Sequence, residues 1–270
     1  MKSAHCLVKK KSEYPWQGIH SGIRSQGYDL SGGTLPADLL VTWTPWNNSI
    51  AHRAGENQKK YGKDWVVFEN GYLPLSNNVR YYCAGLNGFN GHGDHKIHNI
   101  DESRLGKLNI DIKDWTTKGE YILIVSQFGH RDTRYSMPID WPDTIIKKLR
   151  EYTDRPIIFK SKAGKRRVPS KSYLNVTVVD NSESLSSLIK SAWAVVVWNS
   201  KAAVKSLIEG VPIVVDAPVA ISKFMCTSIE SIETPYRPED ADRLYFFNWL
   251  ANAQWSEQEI ATGKPFEQLL

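Results

Sequence analysis

The chain has 270 residues and a mass of 30.7 kDa, with 41% hydrophobic and 23% charged residues. That is ordinary globular usage, enough for one or two hydrophobic cores, and it excludes disordered and fibrous classes. The 34 basic residues against 29 acidic ones give a net charge of +5, compatible with phosphate-bearing partners but far from a histone-like binder.

No apolar run approaches the ~18 residues of a transmembrane helix. The N-terminus carries no signal-peptide core, so a cytoplasmic location is expected. Cys6, Cys83 and Cys226 are far apart and form no CxxC pair, which fits a reducing compartment. The 10 Trp and 12 Tyr are many for this length. They suit flat-ring recognition of sugars or bases, although filling a core is the ordinary use of such side chains.

In chain order, short apolar runs alternate with helical stretches. A strand is expected over 6–8, a helix over 16–25, a strand over 38–43, a helix over 50–61 and a buried strand over 64–69, closing in a Gly turn. This rhythm predicts a parallel sheet with crossover helices. Residues 86–98, rich in Gly, Asn and His, read as a polar loop. A turn-rich break near residues 112–119 precedes a second series. Strands are expected over 121–125, 156–160, 176–179, 194–198 and 211–215, with helices over 142–152, 184–190 and 202–208. Two more helices are expected over 238–253 and 256–262. The fold class is therefore α/β, two Rossmann-like halves facing a cleft, with parallel sheets and flanking helices. Ligands of such sheets bind at the carboxyl ends of the strands.

The sharpest segment is Val195-Val-Val-Trp-Asn-Ser-Lys-Ala-Ala-Val-Lys-Ser-Leu-Ile-Glu-Gly-Val-Pro-Ile-Val-Val215. A buried strand ends at Trp198. Ser200 is a natural N-cap, and small residues follow at Ala202 and Ala203. The N–H groups of that first turn can hold an anion. An ordinary capped αβ unit has the same spacing.

Strand, Asn-Ser-x-Ala-Ala, helix, then Glu-Gly-Val-Pro resembles the donor half of GT-B glycosyltransferases, in which this helix start grips the diphosphate of a nucleotide-sugar. A wider set of runs covers most of the chain: Phe68-Glu-Asn-Gly-Tyr-Leu73, Phe89-Asn-Gly-His-Gly-Asp-His95, Met137-Pro-Ile-Asp-Trp141, Ala192-Trp-Ala-Val-Val-Val-Trp-Asn-Ser200 and Trp249-Leu-Ala-Asn-Ala-Gln-Trp255. These resemble a family of phage- and prophage-encoded, glycosyltransferase-like proteins. The resemblance implies an acceptor-side domain over 1–115, a nucleotide-sugar domain over 116–237, and C-terminal helices over 238–270 packing back on the first half. One departure is visible. Related proteins carry an Arg-Pro-His-Pro-Gly-like loop after the strand ending at Phe159, and here it reads Lys160-Ser-Lys-Ala-Gly-Lys165. Lysines can still neutralise a diphosphate as point charges.

The basic loop from Lys160 to Lys171 holds six positive charges and no negative one. It is either a solvated face or a phosphate contact. Lys160 and Lys162 are candidates for the donor diphosphate, and Lys165, Arg166 and Arg167 for an acceptor DNA backbone. Gln127, Gly129 and Arg131 follow the first strand of the second half, where Arg131 could pair with a phosphate bidentately. Asn199, Ser200 and Ala202 complete the donor set. Asp180-Asn-Ser182 can cap the helix near Ser184.

Transfer to a hydroxyl needs a general base near the acceptor oxygen. Asp94 is the candidate, with His92 and His95 as alternatives. Trp43, Trp46, Glu69, Asn70, Tyr72 and Asn90 are candidate acceptor contacts, Trp43 and Trp46 by stacking on a sugar or base. His92, Asp94, His95 and His98 also lie close enough in sequence to suggest a metal, but no Cys or Glu completes a ligand spacing, so no metal is expected. Asp240-Ala-Asp242 reads as N-terminal helix charge.

These residues point to a metal-independent transferase using a nucleotide-sugar such as UDP-glucose, with no resident cofactor. The resemblance implies, by analogy with phages that glycosylate their own DNA, a hydroxymethylated base of phage DNA as the leading acceptor. The alternatives are a glycan or cell-surface polymer as acceptor, and a non-catalytic nucleotide- or nucleic-acid-binding protein. The sequence has no GxGxxG after its first strand and no GxxxxGK[ST], which argues against a dehydrogenase and a P-loop NTPase.

Overall fold

The computed structural model describes residues 2–30, 34–45, 49–74, 78–127, 137–161, 167–180 and 182–270. Met1–Asn109 and Leu244–Leu270 form one unit, and Ile110–Arg243 form another. The first unit opens with β1 (Lys2–Cys6), α1 (Trp16–Ser25), β2 (Tyr28–Asp29), β3 (Leu39–Trp43), α2 (Ile50–Lys60), β4 (Asp64–Asn70), β5 (Tyr81–Leu86) and α3 (Ser103–Leu108). The second holds β6 (Tyr121–Val125), α4 (Trp141–Arg150), β7 (Ile157–Lys160), β8 (Val176–Val179), α5 (Leu185–Lys190), β9 (Ala192–Val197), α6 (Ala202–Ile208) and β10 (Ile213–Val215). The chain passes back through α7 (Asp240–Asn252) to β11 (Gln254–Ser256), α8 (Glu257–Ala261) and α9 (Lys264–Leu269).

The sheet of the first unit runs β11-β5-β4-β3-β1-β2. β1, β2, β3 and β4 pair in parallel, as expected, but β5 runs antiparallel to β4 and β11 antiparallel to β5. The cause is the short connection from Asn70 to Tyr81, which has no room for the crossover that a parallel partner needs. The first strand also differs from expectation. It covers Lys2–Cys6, because Ala4, His5 and Cys6 pair with Leu39, Leu40 and Val41, and the chain leaves the sheet after Leu7 donates to the Val41 carbonyl at 2.8 Å.

α1 buries Gly18, Ile19, Gly22 and Ile23, a stripe at helical spacing. Its two glycines let α8 approach closely: a Cβ on Gly22 would stand 2.1 Å from the Ile260 carbonyl oxygen, and one on Gly18 2.9 Å from that of Glu257. α8 itself starts with a capping box, Ser256 and Glu259 each satisfying the other's backbone N–H. Ile19, Ile23, Val41, Phe68, Trp255, Ile260 and Phe266 share one core on this face. Leu40, Trp65 and Val67 form a smaller cluster on the other.

The second unit is a wholly parallel sheet, β10-β9-β6-β7-β8. Its central strand β6 is buried at every residue, and β9 at all but Trp193. Trp141, Ile145 and Leu149 of α4 pack with Ile122, Phe159 and Val196. α6 stops where the sequence implies: Gly210 follows it at φ +69, and a Cβ there would lie 1.9 Å from the Asp114 carbonyl oxygen.

Candidate functional site

In the second unit the chain starts at β6, adds β7 and β8 on one side, then returns to add β9 and β10 on the other. Strand order therefore reverses between β6 and β9. In open α/β sheets that reversal opens a crevice at the carboxyl ends of the two strands. Their ends are level, Val125 opposite Val197. The residues that leave them are Gln127 and Asn199, and they meet: Gln127 Oε1 accepts the Asn199 main-chain N–H at 3.0 Å. Asn199 Nδ2 points toward the Val219 carbonyl at 3.4 Å.

Ser200 does not sit at the expected N-cap. Lys201 takes that position with helical backbone, and Ser200 Oγ accepts the Ala202 N–H at 3.2 Å while its carbonyl accepts Ala203 N–H at 3.0 Å. Two N–H groups of the turn, those of Ala202 and Ala203, are thus already satisfied. Ala202 is buried, as a close-packed turn requires.

Lys160 differs more. It is 8% exposed, and its Nζ donates to the carbonyls of Asp180 and Glu183 at 2.7 and 2.8 Å. The expected free cation instead ties β7 to the turn before α5. Asp180 does not cap that helix. Its Oδ1 accepts the N–H and hydroxyl of Ser182, and Ser184 takes the cap position. Arg167 is likewise engaged, Nη1 donating to Met137 O at 2.9 Å, while its own carbonyl accepts the Ser126 hydroxyl at 2.8 Å. Gly129, Arg131, Lys162, Lys165 and Arg166 lie outside the described residues.

Two residues at this edge escaped the sequence reading. Trp198 follows β9 and is half-buried, edge-on to Trp141 with ring centroids 6.3 Å apart. Asp216 follows β10 and accepts Trp141 Nε1–H at 2.7 Å. Each directly follows a buried strand, and that position was the available signal.

In the first unit the loop after β5 folds onto itself. Leu86 and Asp94 pair antiparallel, through Leu86 N to Asp94 O at 2.8 Å and the reverse at 3.0 Å. Gly88 and Gly93 pack so tightly that a Cβ on either would sit 2.6 Å from a carbonyl oxygen. Asp94 is exposed, and its Oδ1 accepts the Lys96 N–H at 2.8 Å. His92 lies in the 3-10 turn Asn90–His92, half-buried.

His95 is 4% exposed. Its Nδ1 lies 2.7 Å from the Ala84 carbonyl, and its Nε2 lies 3.4 Å from both the Tyr72 hydroxyl and the Asn90 carbonyl. Burial pushes its imidazole below the ordinary value, against the opposing pull of those carbonyls. As an alternative base His95 is therefore shut inside the fold. It staples the loop instead, with the Trp249 ring edge-on at 5.1 Å and Gln268 Nε2 donating to its carbonyl at 2.7 Å. Asn90 holds a left-handed φ of 55 beside it.

The expected acceptor contacts separate as well. Tyr72 is 4% exposed and its hydroxyl is pushed well up by burial, so it is a core residue. Glu69 hydrogen-bonds the Thr44 hydroxyl and, through Oε1, Asn70 N and Nδ2 at 2.8 and 3.0 Å. Trp43 is half-buried at the end of β3, 4.6 Å from Tyr14 and 6.0 Å from Tyr82 by ring centroids. Trp46 lies outside the described residues. Among the described residues no three His, Cys, Asp or Glu side chains form a metal-ligating group, and no helix is long and apolar enough to cross a membrane.

No protein-family model and no curated protein matches the sequence. Solved structures do. The chain superposes on Thermosulfurimonas dismutans KpsC, beta Kdo 2,4 transferase, with a TM-score of 0.55 at 10% identity, covering 93% of this chain and 89% of that one. The fold is GT-B. The beta Kdo 2,7 transferase of the same organism's KpsC also matches, with a TM-score of 0.48, 13% identity and coverage of 97% and 98%. The GT-B assignment accords with the α/β halves and flanking helices expected of the sequence.

Proposed function

We propose that this GT-B chain is a glycosyltransferase that moves a sugar from a nucleotide-sugar to a hydroxyl of a glycan. The observation that carries the proposal is the Gln127–Asn199 hydrogen bond at the reversal between β6 and β9. Two polar residues are fixed where a parallel sheet of this order takes its ligand. Gln127 Oε1 is spent on Asn199, so the group it can offer a diphosphate is its amide NH2. The Ser200 main-chain N–H, ahead of the two satisfied ones, would add a further donor, with no resident cofactor.

For the first unit we propose Asp94 as general base. The acceptor oxygen attacks the anomeric carbon and Asp94 takes its proton. The bond from that carbon to the diphosphate breaks, and the nucleoside diphosphate leaves with the electron pair. Asp94 suits the role because it is exposed on a loop whose backbone is closely determined. A glycan acceptor is preferred over a hydroxymethylated DNA base because Arg167, the described member of the expected DNA contact, is turned to Met137. A solved structure of the same fold is named for transfer of the sugar Kdo.

The test is a thermal-shift screen with UDP, GDP, TDP and CMP and their sugars. Ligand at about 100 times its dissociation constant adds about 2.7 kcal/mol of stability. One nucleotide should raise Tm, and Ser200→Trp should abolish that rise. Asp94→Asn should keep the rise and lose turnover. No rise with any nucleotide overturns the donor reading. Full turnover in Asp94→Asn overturns the base.

A further inference from the structure

We propose that the carboxyl edge of the first unit's sheet binds an acidic glycan, through Lys9, Lys10, Lys11 and Arg80 beside the half-buried rings of Tyr14 and Trp43. The inference rests on the reading of the chain as glycan-acting and names the chemical class of the glycan.

The place follows from topology. β1 is flanked by β2 on one side and β3 on the other, so strand order reverses between β1 and β3. This is a second switch point, with its own crevice at the strands' carboxyl ends. The loop leaving β1 there is Leu7-Val-Lys-Lys-Lys-Ser-Glu-Tyr14, and all three lysines are exposed.

The loop is held rather than loose. Lys11 N donates to Lys9 O at 2.9 Å, and Tyr14 N to Lys11 O at 3.1 Å. The Tyr14 ring lies 4.6 Å from Trp43, the last residue of β3, and Trp43 lies 6.0 Å from Tyr82. Arg80, exposed and just ahead of β5, reaches the Glu13 carbonyl with Nη1 at 3.5 Å. Lys10 Nζ lies 5.7 Å from the Trp16 ring, and that ring is edge-on to His20 at 5.6 Å. Burial holds the His20 imidazole below its ordinary value, with Arg24 and then Lys10 adding to the effect.

The acidic groups here offset that charge only in part. Glu13 stands 3.8 Å from Lys11, with both side chains more than half exposed. Such a pair is worth little and opens easily to a competing anion. Glu69 is engaged by Thr44 and Asn70, and Glu257 acts on Tyr82 from the start of α8. A carboxylate polysaccharide suits the edge: repeated negative charge for the lysines and arginine, and sugar faces for the half-buried rings of Tyr14 and Trp43.

The experiment is a fluorescence titration of the full chain, without nucleotide, by a short oligogalacturonate. A neutral dextran oligosaccharide and a DNA duplex serve as comparisons. The oligogalacturonate should bind, and more weakly at about 0.2 M than at about 0.05 M salt. Replacing Lys9, Lys10 and Lys11 together with Ala should weaken it at least about tenfold, since three charges facing a polyanion are lost. These side chains are exposed, and an unchanged Tm will show that the fold is intact. Arg80→Ala should weaken binding independently. Equal binding by the triple variant, or by the neutral oligosaccharide, overturns the inference. So does duplex DNA binding as tightly as the oligogalacturonate. A nucleotide thermal shift without oligogalacturonate binding sinks this inference alone, and the reverse pattern sinks the donor reading alone.

Discussion

His95 shows how one side chain can look catalytic in sequence and structural in the fold. In sequence it is a histidine in a Gly-rich polar loop, the composition of many active sites. In the fold it is enclosed by Tyr72, Trp249 and the Ala84 carbonyl. Its imidazole is depressed below the ordinary 6.5 by burial, so the unfolded chain takes up a proton there at a higher pH than the folded one. Stability attached to His95 is therefore complete above about pH 6.5 and falls as pH drops toward the folded value. His20 is depressed as well and adds a slope of the same sign. Thermal melts from pH 7.5 down to 5 should show this loss of Tm. His95→Asn should reduce the pH slope while lowering Tm at neutral pH, because the Ala84 contact is impaired. An unaltered slope would mean that His95 is not the titrating group. Lys160 makes the complementary point. A lysine at a strand end resembles a phosphate ligand, yet two carbonyls claim its Nζ. Nothing in the local sequence around Lys160 announces Asp180 and Glu183 as its partners.

At the scale of elements, what the sequence reveals depends on how local the cause is. α6 is legible to the residue, because Ala202 begins a run of good helix formers and Gly210 supplies the left-handed stop. β6 and β9 are legible as unbroken apolar runs, as buried parallel strands are. β5 and β11 are not. Tyr-Tyr-Cys-Ala-Gly-Leu and Gln-Trp-Ser lack a β-branched run; β5 becomes a strand by pairing with β4 before it, and β11 by pairing with β5 across the length of the chain, Trp255 opposite Tyr82. The same distant packing fixes α1 against α8, and it can be tested through Gly22. Alanine would normally favour a helix, by about 1 kcal/mol over glycine. Here its Cβ would stand 2.1 Å from a backbone oxygen of α8. A carbonyl cannot rotate away as a side chain can, so Gly22→Ala should destabilise by about 1–3 kcal/mol in urea unfolding, against the propensity gain. A neutral or stabilising result would show that α8 shifts freely. The donor candidates follow the same division. Gln127 and Asn199 are visible as residues following strands, but their hydrogen bond follows from a strand order that no local pattern encodes.

At the scale of the molecule, the two units differ in how the chain builds them. The second is continuous from Ile110 to Arg243, whereas the first is closed by Leu244–Leu270, which returns after the second is complete. The returning segment supplies an edge strand and a wall of the core: Trp255, Ile260, Phe266 and Leu269 are each at most 3% exposed. Four such side chains, at about 1.5–3 kcal/mol apiece, amount to roughly the whole net stability of a domain. The segment also carries Glu259, which meets Arg104 Nη1 at 2.7 Å, and Gln268, which holds the loop of Asp94 through the His95 carbonyl. Ending the chain after Arg243 should therefore unfold the first unit and leave the second intact. Near-UV circular dichroism should lose the signal of the first unit's tryptophans, and a cooperative transition should persist. Residues 110–243 alone should show that same transition and the same nucleotide-induced rise in Tm, because Gln127, Asn199 and Ser200 all lie within them. A shortened chain that keeps the complete near-UV spectrum would mean that β1 to β5 hold together without β11, α8 and α9. Loss of the nucleotide response from residues 110–243, with their fold retained, would mean that donor binding requires groups of the first unit.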